Sequence, residues 1–106
     1  MMRIHFSRAG AGLVRALIAR AGEPADSARL VAYRATEWRS LTFDGERHEI
    51  RLRVTDERSL RRMLDGLEEH EFDLGEDLVA EIAGRPTPGD AGGAVELLIE
   101  ALTVSA

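Results

Sequence analysis

Asp44-Gly45 sits between two runs of alternating, partly β-branched or aromatic residues, 36–41 and 46–54. An Asp-Gly pair so placed is the strongest local hairpin signal a sequence offers. Two registers compete. A two-residue turn pairs Phe43 with Glu46 and sets Trp38 opposite Arg51, which mixes charge into the apolar face. A three-residue loop of Phe43, Asp44 and Gly45, with the glycine in the left-handed bulge position, sets Trp38 opposite Ile50, Arg39 opposite Glu49 and Glu37 opposite Arg51. Cross-strand pairs of that kind contribute about 0.2–1 kcal/mol each, and a one-residue slip turns every side chain to the other face. The bulged register is the expected one. It directs Thr36, Trp38, Ser40, His48, Ile50, Leu52 and Val54 inward and leaves a charged outer face that also carries Leu41.

The remaining elements follow from periodicity. Ile4 and Phe6 flank His5 in a short alternating piece, either an edge strand or an anchor under the first helix. Leu13, Val14, Leu17, Ile18 and Ala21 recur at helical spacing, Ser7 is a fitting N-cap and Gly22 a stop, which predicts a helix over 8–21. Gly10 and Gly12 each cost that helix about 1 kcal/mol relative to alanine. The Gly-Ala-Gly stretch lacks the preceding strand and the Gly-Lys-Ser/Thr of a phosphate loop. Ala28, Val31, Ala32 and Ala35 share a helical face over 28–35, while Arg29, Val31 and Tyr33 alternating with Leu30 and Ala32 give a competing extended reading.

Thr55 is the expected cap of a helix over 56–68 with Leu60, Met63, Leu64 and Leu67 as its stripe. Leu78, Ala80 and Ile82 alternate with Val79 and Glu81 in a strand over 77–84, and residues 85–93 read as a mobile loop. A last strand over 94–104 has Val95, Leu97, Ile99 and Ala101 on one face and Glu96, Leu98, Glu100 and Leu102 on the other. This order predicts one α+β domain over 1–106. Two β-hairpins form a four-stranded, mostly antiparallel sheet, and two or three helices pack on one face of it.

The first hairpin, with His70-Glu71-Phe72-Asp73-Leu74 and Leu78-Val79-Ala80-Glu81-Ile82, resembles small bacterial proteins of unknown function over most of the chain from Trp38 onward. That resemblance implies no activity, no cofactor and no site residues.

Composition narrows the classes. With 106 residues and 44% apolar content the chain supports one core and not two. The absence of cysteine excludes disulfides and thiolate metal sites and fits a reducing compartment, so a cytoplasmic location is expected. The sequence shows neither an apolar run long enough for a membrane span nor an export signal, so no membrane association is expected. Every basic residue apart from histidine is arginine, and charge is unevenly spread. Residues 1–62 hold 13 arginines against 8 acids, whereas residues 63–106 hold 1 arginine against 11 acids.

Three function classes bear on these residues. Catalysis requires a nucleophile with a base, paired carboxylates or a metal, and the nearest approach is His48 beside Ser40 on the expected inner face. No catalytic residue is assigned. Glu69, His70, Glu71 and Asp73 form the densest cluster of possible ligands, yet an extended segment points His70 away from its neighbours, so a solvated acidic turn and no metal or cofactor are expected. Arg47, Arg51, Arg53, Arg58, Arg61 and Arg62 form the argument for a nucleic-acid-binding module, against which stand the interleaved Glu46, Glu49, Asp56 and Glu57.

The favoured reading is a protein-interaction or self-associating domain, with a homodimer through the outer sheet face. Leu41, Val79, Leu98 and Leu102 are its expected apolar patch. Arg39, Arg47 and Arg51 supply a basic row and Glu81, Glu96 and Glu100 an acidic one. Pairing of the two rows within one sheet, or a covering N-terminal segment, is the alternative.

Overall fold

The computed structural model describes residues 5–88 and 94–105. Ser7 opens the first helix: its side chain accepts from Gly10 N at 3.0 Å, which satisfies one of the free N–H groups of the first turn. That helix, α1, spans Arg8–Ala21 and ends at Gly22, whose φ of 71° is the left-handed stop the sequence predicts. Leu13 and Leu17 on its inner side are fully buried.

Residues 28–35 are not helical. They belong to a strand, β1, spanning Ala28–Arg39. It pairs antiparallel with β2, Asp44–Val54, which in turn pairs with β4, Val95–Ser105, and β4 pairs with β3, Asp77–Pro88. The four-stranded order is β1-β2-β4-β3, antiparallel throughout. The helical pattern of Ala28, Val31, Ala32 and Ala35 loses because β2 would otherwise leave a row of backbone groups unpaired, whereas β1 supplies partners along its whole length. Residues 85–88, read as loop from their prolines, continue β3 along the edge of the sheet, where a missing N–H costs no ladder bond. The rest of that expected loop, 89–93, lies outside the described residues, as do residues 1–4 of the N-terminal piece.

The first hairpin turns elsewhere than expected. Trp38 stands opposite Gly45, Glu37 opposite Glu46 and Ala35 opposite His48, leaving residues 40–43 as the loop. Ser40 closes it: its N–H donates to Phe43 O at 2.8 Å and its hydroxyl oxygen accepts from Phe43 N at 2.9 Å. Gly45 does not take the left-handed conformation. A Cβ there would strike the Trp38 indole and the Thr103 carbonyl, so the glycine permits a close approach in place of a turn.

The second helix, α2, spans Glu57–Leu64 and is capped by Asp56, not by Thr55: Oδ1 of Asp56 accepts from Arg58 N at 2.8 Å and Ser59 N at 3.2 Å. It stops at Asp65, and a single 3₁₀ turn over Leu67–Glu69 follows Gly66. The expected stripe is therefore divided. Met63 and Leu67 are buried, while Leu60 and Leu64 are half-buried at the rim. Both helices and the 3₁₀ turn lie on one side of the sheet, where Leu13, Leu17, Met63 and Leu67 meet Ile50, Leu52, Leu97 and Ile99 in one core.

Two bulges set which side chains face that core. Leu30 pairs with Leu52 and Ala32 with Arg51, so Val31 is an extra residue; likewise Val79 pairs with Thr103 and Glu81 with Leu102, so Ala80 is extra. An extra residue reverses the alternation beyond it. This is why Leu78, expected inside, is 59% exposed and why Val79, expected outside, packs against the core.

Candidate functional site

The face of the sheet away from the helices is covered by no described element. Register fixes its rows, since residues directly opposite in an antiparallel sheet share a face. From one end to the other the rows across β1, β2, β4 and β3 run Trp38, Gly45, Val104, Leu78; then Thr36, Arg47, Leu102, Glu81; then Arg34, Glu49, Glu100, Ala83; then Ala32, Arg51, Leu98, Arg85; and Arg29, Arg53, Glu96, Thr87. Arg47, Arg51, Leu98, Leu102, Glu81, Glu96 and Glu100 thus share the face assigned to them.

Three other expected members do not. Val79 is half-buried and packs against the core on the opposite face. Leu41 is fully exposed at the tip of the β1–β2 loop. Arg39 stands opposite Asp44, at 3.9 Å, one residue past Trp38 and so on the opposite face. Periodicity alone missed Leu78, because the Ala80 bulge sets the face on which it lies, whereas Val104 continues the alternation of β4 past Leu102.

Apolar groups on this face form a strip along β4 and β3. Leu78 is exposed, Leu102 and Val104 are half-buried, and Leu98 is 8% exposed, with Arg51 and Arg85 directly beside it in its row. Arginine stems cover apolar surface while their heads stay in water, which explains a nearly buried leucine on an open face. Arg34 pairs with Glu49 on the same face. Among the described residues, Arg29, Arg47, Arg51, Arg53, Glu81, Arg85, Glu96 and Glu100 make no ion pair.

The other candidates take different places. His48 is 2% exposed and lies far from Ser40, which serves the loop. Its Nδ1 is 2.8 Å from the Tyr33 hydroxyl and its Nε2 is 2.8 Å from Thr103 Oγ1. Burial pushes its pKa below the ordinary value, with Glu46 and Asp77 pulling it back. Both nitrogens are engaged inside the core, so His48 orders three strands and offers no free nitrogen to a Ser40 hydroxyl.

His70 is exposed and meets the edge of Phe72 at a centroid distance of 4.6 Å. Among the described residues no group of three or more histidine, aspartate or glutamate side chains is placed to hold a metal ion.

The basic cluster is divided between two sides of the molecule. Arg47, Arg51 and Arg53 are on the open face, whereas Arg58, Arg61 and Arg62 belong to α2 on the other. Arg61 pairs with Glu57, and the Arg62 guanidinium donates to Ala21 O and Glu23 O. A groove of about 680 Å³ runs beside α2, lined by Leu60, Leu64 and the helix's own charged residues. Among the described residues no second element contributes groups that converge on it. No helix among the described residues is long and apolar enough to cross a membrane.

No protein-family profile, curated protein or solved structure matches the chain.

Proposed function

We propose that this chain is a protein-interaction domain whose recognition surface is the open face of its sheet. One observation carries the reading. Leu78, Leu98, Leu102 and Val104 lie on a face that no described element covers, beside eight charged groups without an ion-pair partner among the described residues. Solvated sheet faces ordinarily alternate to polar residues, and an apolar strip rimmed by charge is the anatomy of a protein-binding surface. The nucleic-acid alternative draws on the same arginines, but Glu81, Glu96 and Glu100 stand beside those of the open face, and Arg58, Arg61 and Arg62 lie on the other side of the molecule.

The test is site-specific photo-crosslinking in the cells that make the protein. A photoreactive residue at position 83 or 100, on the sheet, should give a discrete protein adduct that is lost in Leu102→Glu. The same probe at position 58, on α2, should give none. Adducts from position 58 alone would place recognition on the helices and refute the reading.

A further inference from the structure

Resting on the open-face reading, we propose that the occupant of that face is a second copy of this chain, related by a two-fold axis that lies between the two faces and runs parallel to the strands. Charge sign selects both the occupant and the axis. The β1–β2 half of the face carries Arg29, Arg34, Arg47, Arg51 and Arg53 against Glu49 alone, and the β4–β3 half carries Glu81, Glu96 and Glu100 against Arg85 alone. A surface that is basic on one side and acidic on the other is complementary to itself after rotation.

Of the two in-plane axes, only one achieves this. Rotation about an axis parallel to the strands exchanges the two halves and keeps each row at its level, so the basic half of each copy covers the acidic half of the other. Rotation about an axis across the strands keeps the halves in place and lays basic on basic. With the permitted axis, Arg53 is level with Glu96 of the facing copy, and Glu49, already paired to Arg34, is level with its Glu100, which Arg47 and Arg51 flank one row either side. Leu98 and Leu102 sit next to the β2–β4 border, close to the axis, where each copy's apolar strip is covered by the other.

Size is consistent with a stable closed pair. Four strands of about eleven residues, at roughly 3.3 Å rise and 4.8 Å spacing, make a face of about 700 Å². A standard interface buries roughly 800 Å² per partner.

Charge-swap complementation, read by light scattering with size-exclusion chromatography, tests this. Wild type at high micromolar concentration should elute at twice the 11.7 kDa chain mass. A variant with Arg47→Glu, Arg51→Glu and Arg53→Glu, and another with Glu81→Arg, Glu96→Arg and Glu100→Arg, should each be monomeric and should recover the doubled mass when mixed. Circular dichroism melts verify that both are folded. If either is not, Arg51→Gln and Glu100→Gln replace them, each expected to weaken the dimer about tenfold or more and to flatten its salt dependence.

A monomeric wild type overturns the second-copy occupant while leaving the open-face reading to the crosslinking result. A dimer lost in Leu102→Glu but not restored by mixing overturns the axis and leaves the face as the interface. If neither the swaps nor Leu102→Glu changes the dimer, both this proposal and the open-face reading fall.

Discussion

Arg20 on α1 and Arg62 on α2 each cap the end of the other's helix. Arg20 Nη2 donates to Asp65 O at 2.6 Å and Arg62 O at 3.2 Å, while Arg62 Nη2 donates to Ala21 O at 2.7 Å and Glu23 O at 2.6 Å. Carbonyls at a helix C-terminus have no partner within the helix, and a cation there also opposes the helix dipole. Neither helix carries its cation for itself. The exchange ties α1 to α2 at the end where the two elements would otherwise fray.

Removing either guanidinium should therefore loosen both helices. Arg20→Ala and Arg62→Ala are each expected to lower stability by about 1–2 kcal/mol, as charged hydrogen bonds at a partly exposed site do. Urea unfolding of the singles and the double should show a coupling of at least about 0.5 kcal/mol, because the Arg62 side chain holds against α1 the same turn whose carbonyl accepts from Arg20. Strict additivity would show that the two caps act independently.

Gly10→Ala inverts the usual rule for helices. The substitution should gain about 1 kcal/mol of helix propensity. A Cβ at position 10, however, would occupy the place of the Tyr33 hydroxyl and phenol ring. Displacing Tyr33 breaks its contact with His48 and its tilted ring contact with Phe6, whose centroid is 4.8 Å away. A net loss of about 1–3 kcal/mol is expected, as for other overpacked sites. A rise in melting temperature would show that Tyr33 does not rest on this glycine.

Acid should destabilise the fold through His48. Its folded pKa is held below the ordinary value by burial, so at high pH the ring is neutral in both states and contributes no pH dependence. As pH falls below about 6.5 the unfolded chain takes up the proton first, and stability is lost at up to about 1.4 kcal/mol per pH unit until the folded pKa is passed. Urea midpoints between pH 8 and 5 should fall for wild type and fall less for His48→Gln. Equal slopes would assign the acid sensitivity to other groups.

Met63→Ala should cost more than Leu64→Ala. Met63 has no exposed surface, while Leu64 lies half-buried at the rim. Large-to-small changes at fully enclosed sites cost about 2–5 kcal/mol, and Leu64→Ala should fall below that range. The stripe read from spacing treats the two residues alike, and the reverse order of stability would restore that reading.

How much of this was legible depended on the range over which each decision is made. α1 could be read to the residue, because its cap, its apolar spacing and its stop all lie within 15 positions of sequence. The inward faces of β2 and β4 were equally clear: His48, Ile50, Leu52 and Val54, with Leu97, Ile99 and Ala101, are all buried. Those runs are strongly apolar at period two, and burial acts on each side chain separately. β1 was not legible, since Ala28, Val31, Ala32 and Ala35 satisfy a helix as well as a strand. Of the candidate surface, the alternation of β4 correctly placed Glu96, Leu98, Glu100 and Leu102 together on one face.

Sequence by itself determined that this chain builds one apolar layer between helices and an antiparallel sheet, because that outcome needs only periods of 3.6 and 2 and turn residues between them. Tertiary structure decided the register of the first hairpin and the bulges at Val31 and Ala80, and with them the exchange of Val79 for Leu78 on the open face. These choices compare whole ladders that differ by one residue, so their energies belong to pairs of strands. Gly45 gives the same lesson at one position. Locally an Asp-Gly pair favours a turn, but the Trp38 indole and the Thr103 carbonyl, brought in from two other strands, need a residue without a side chain there.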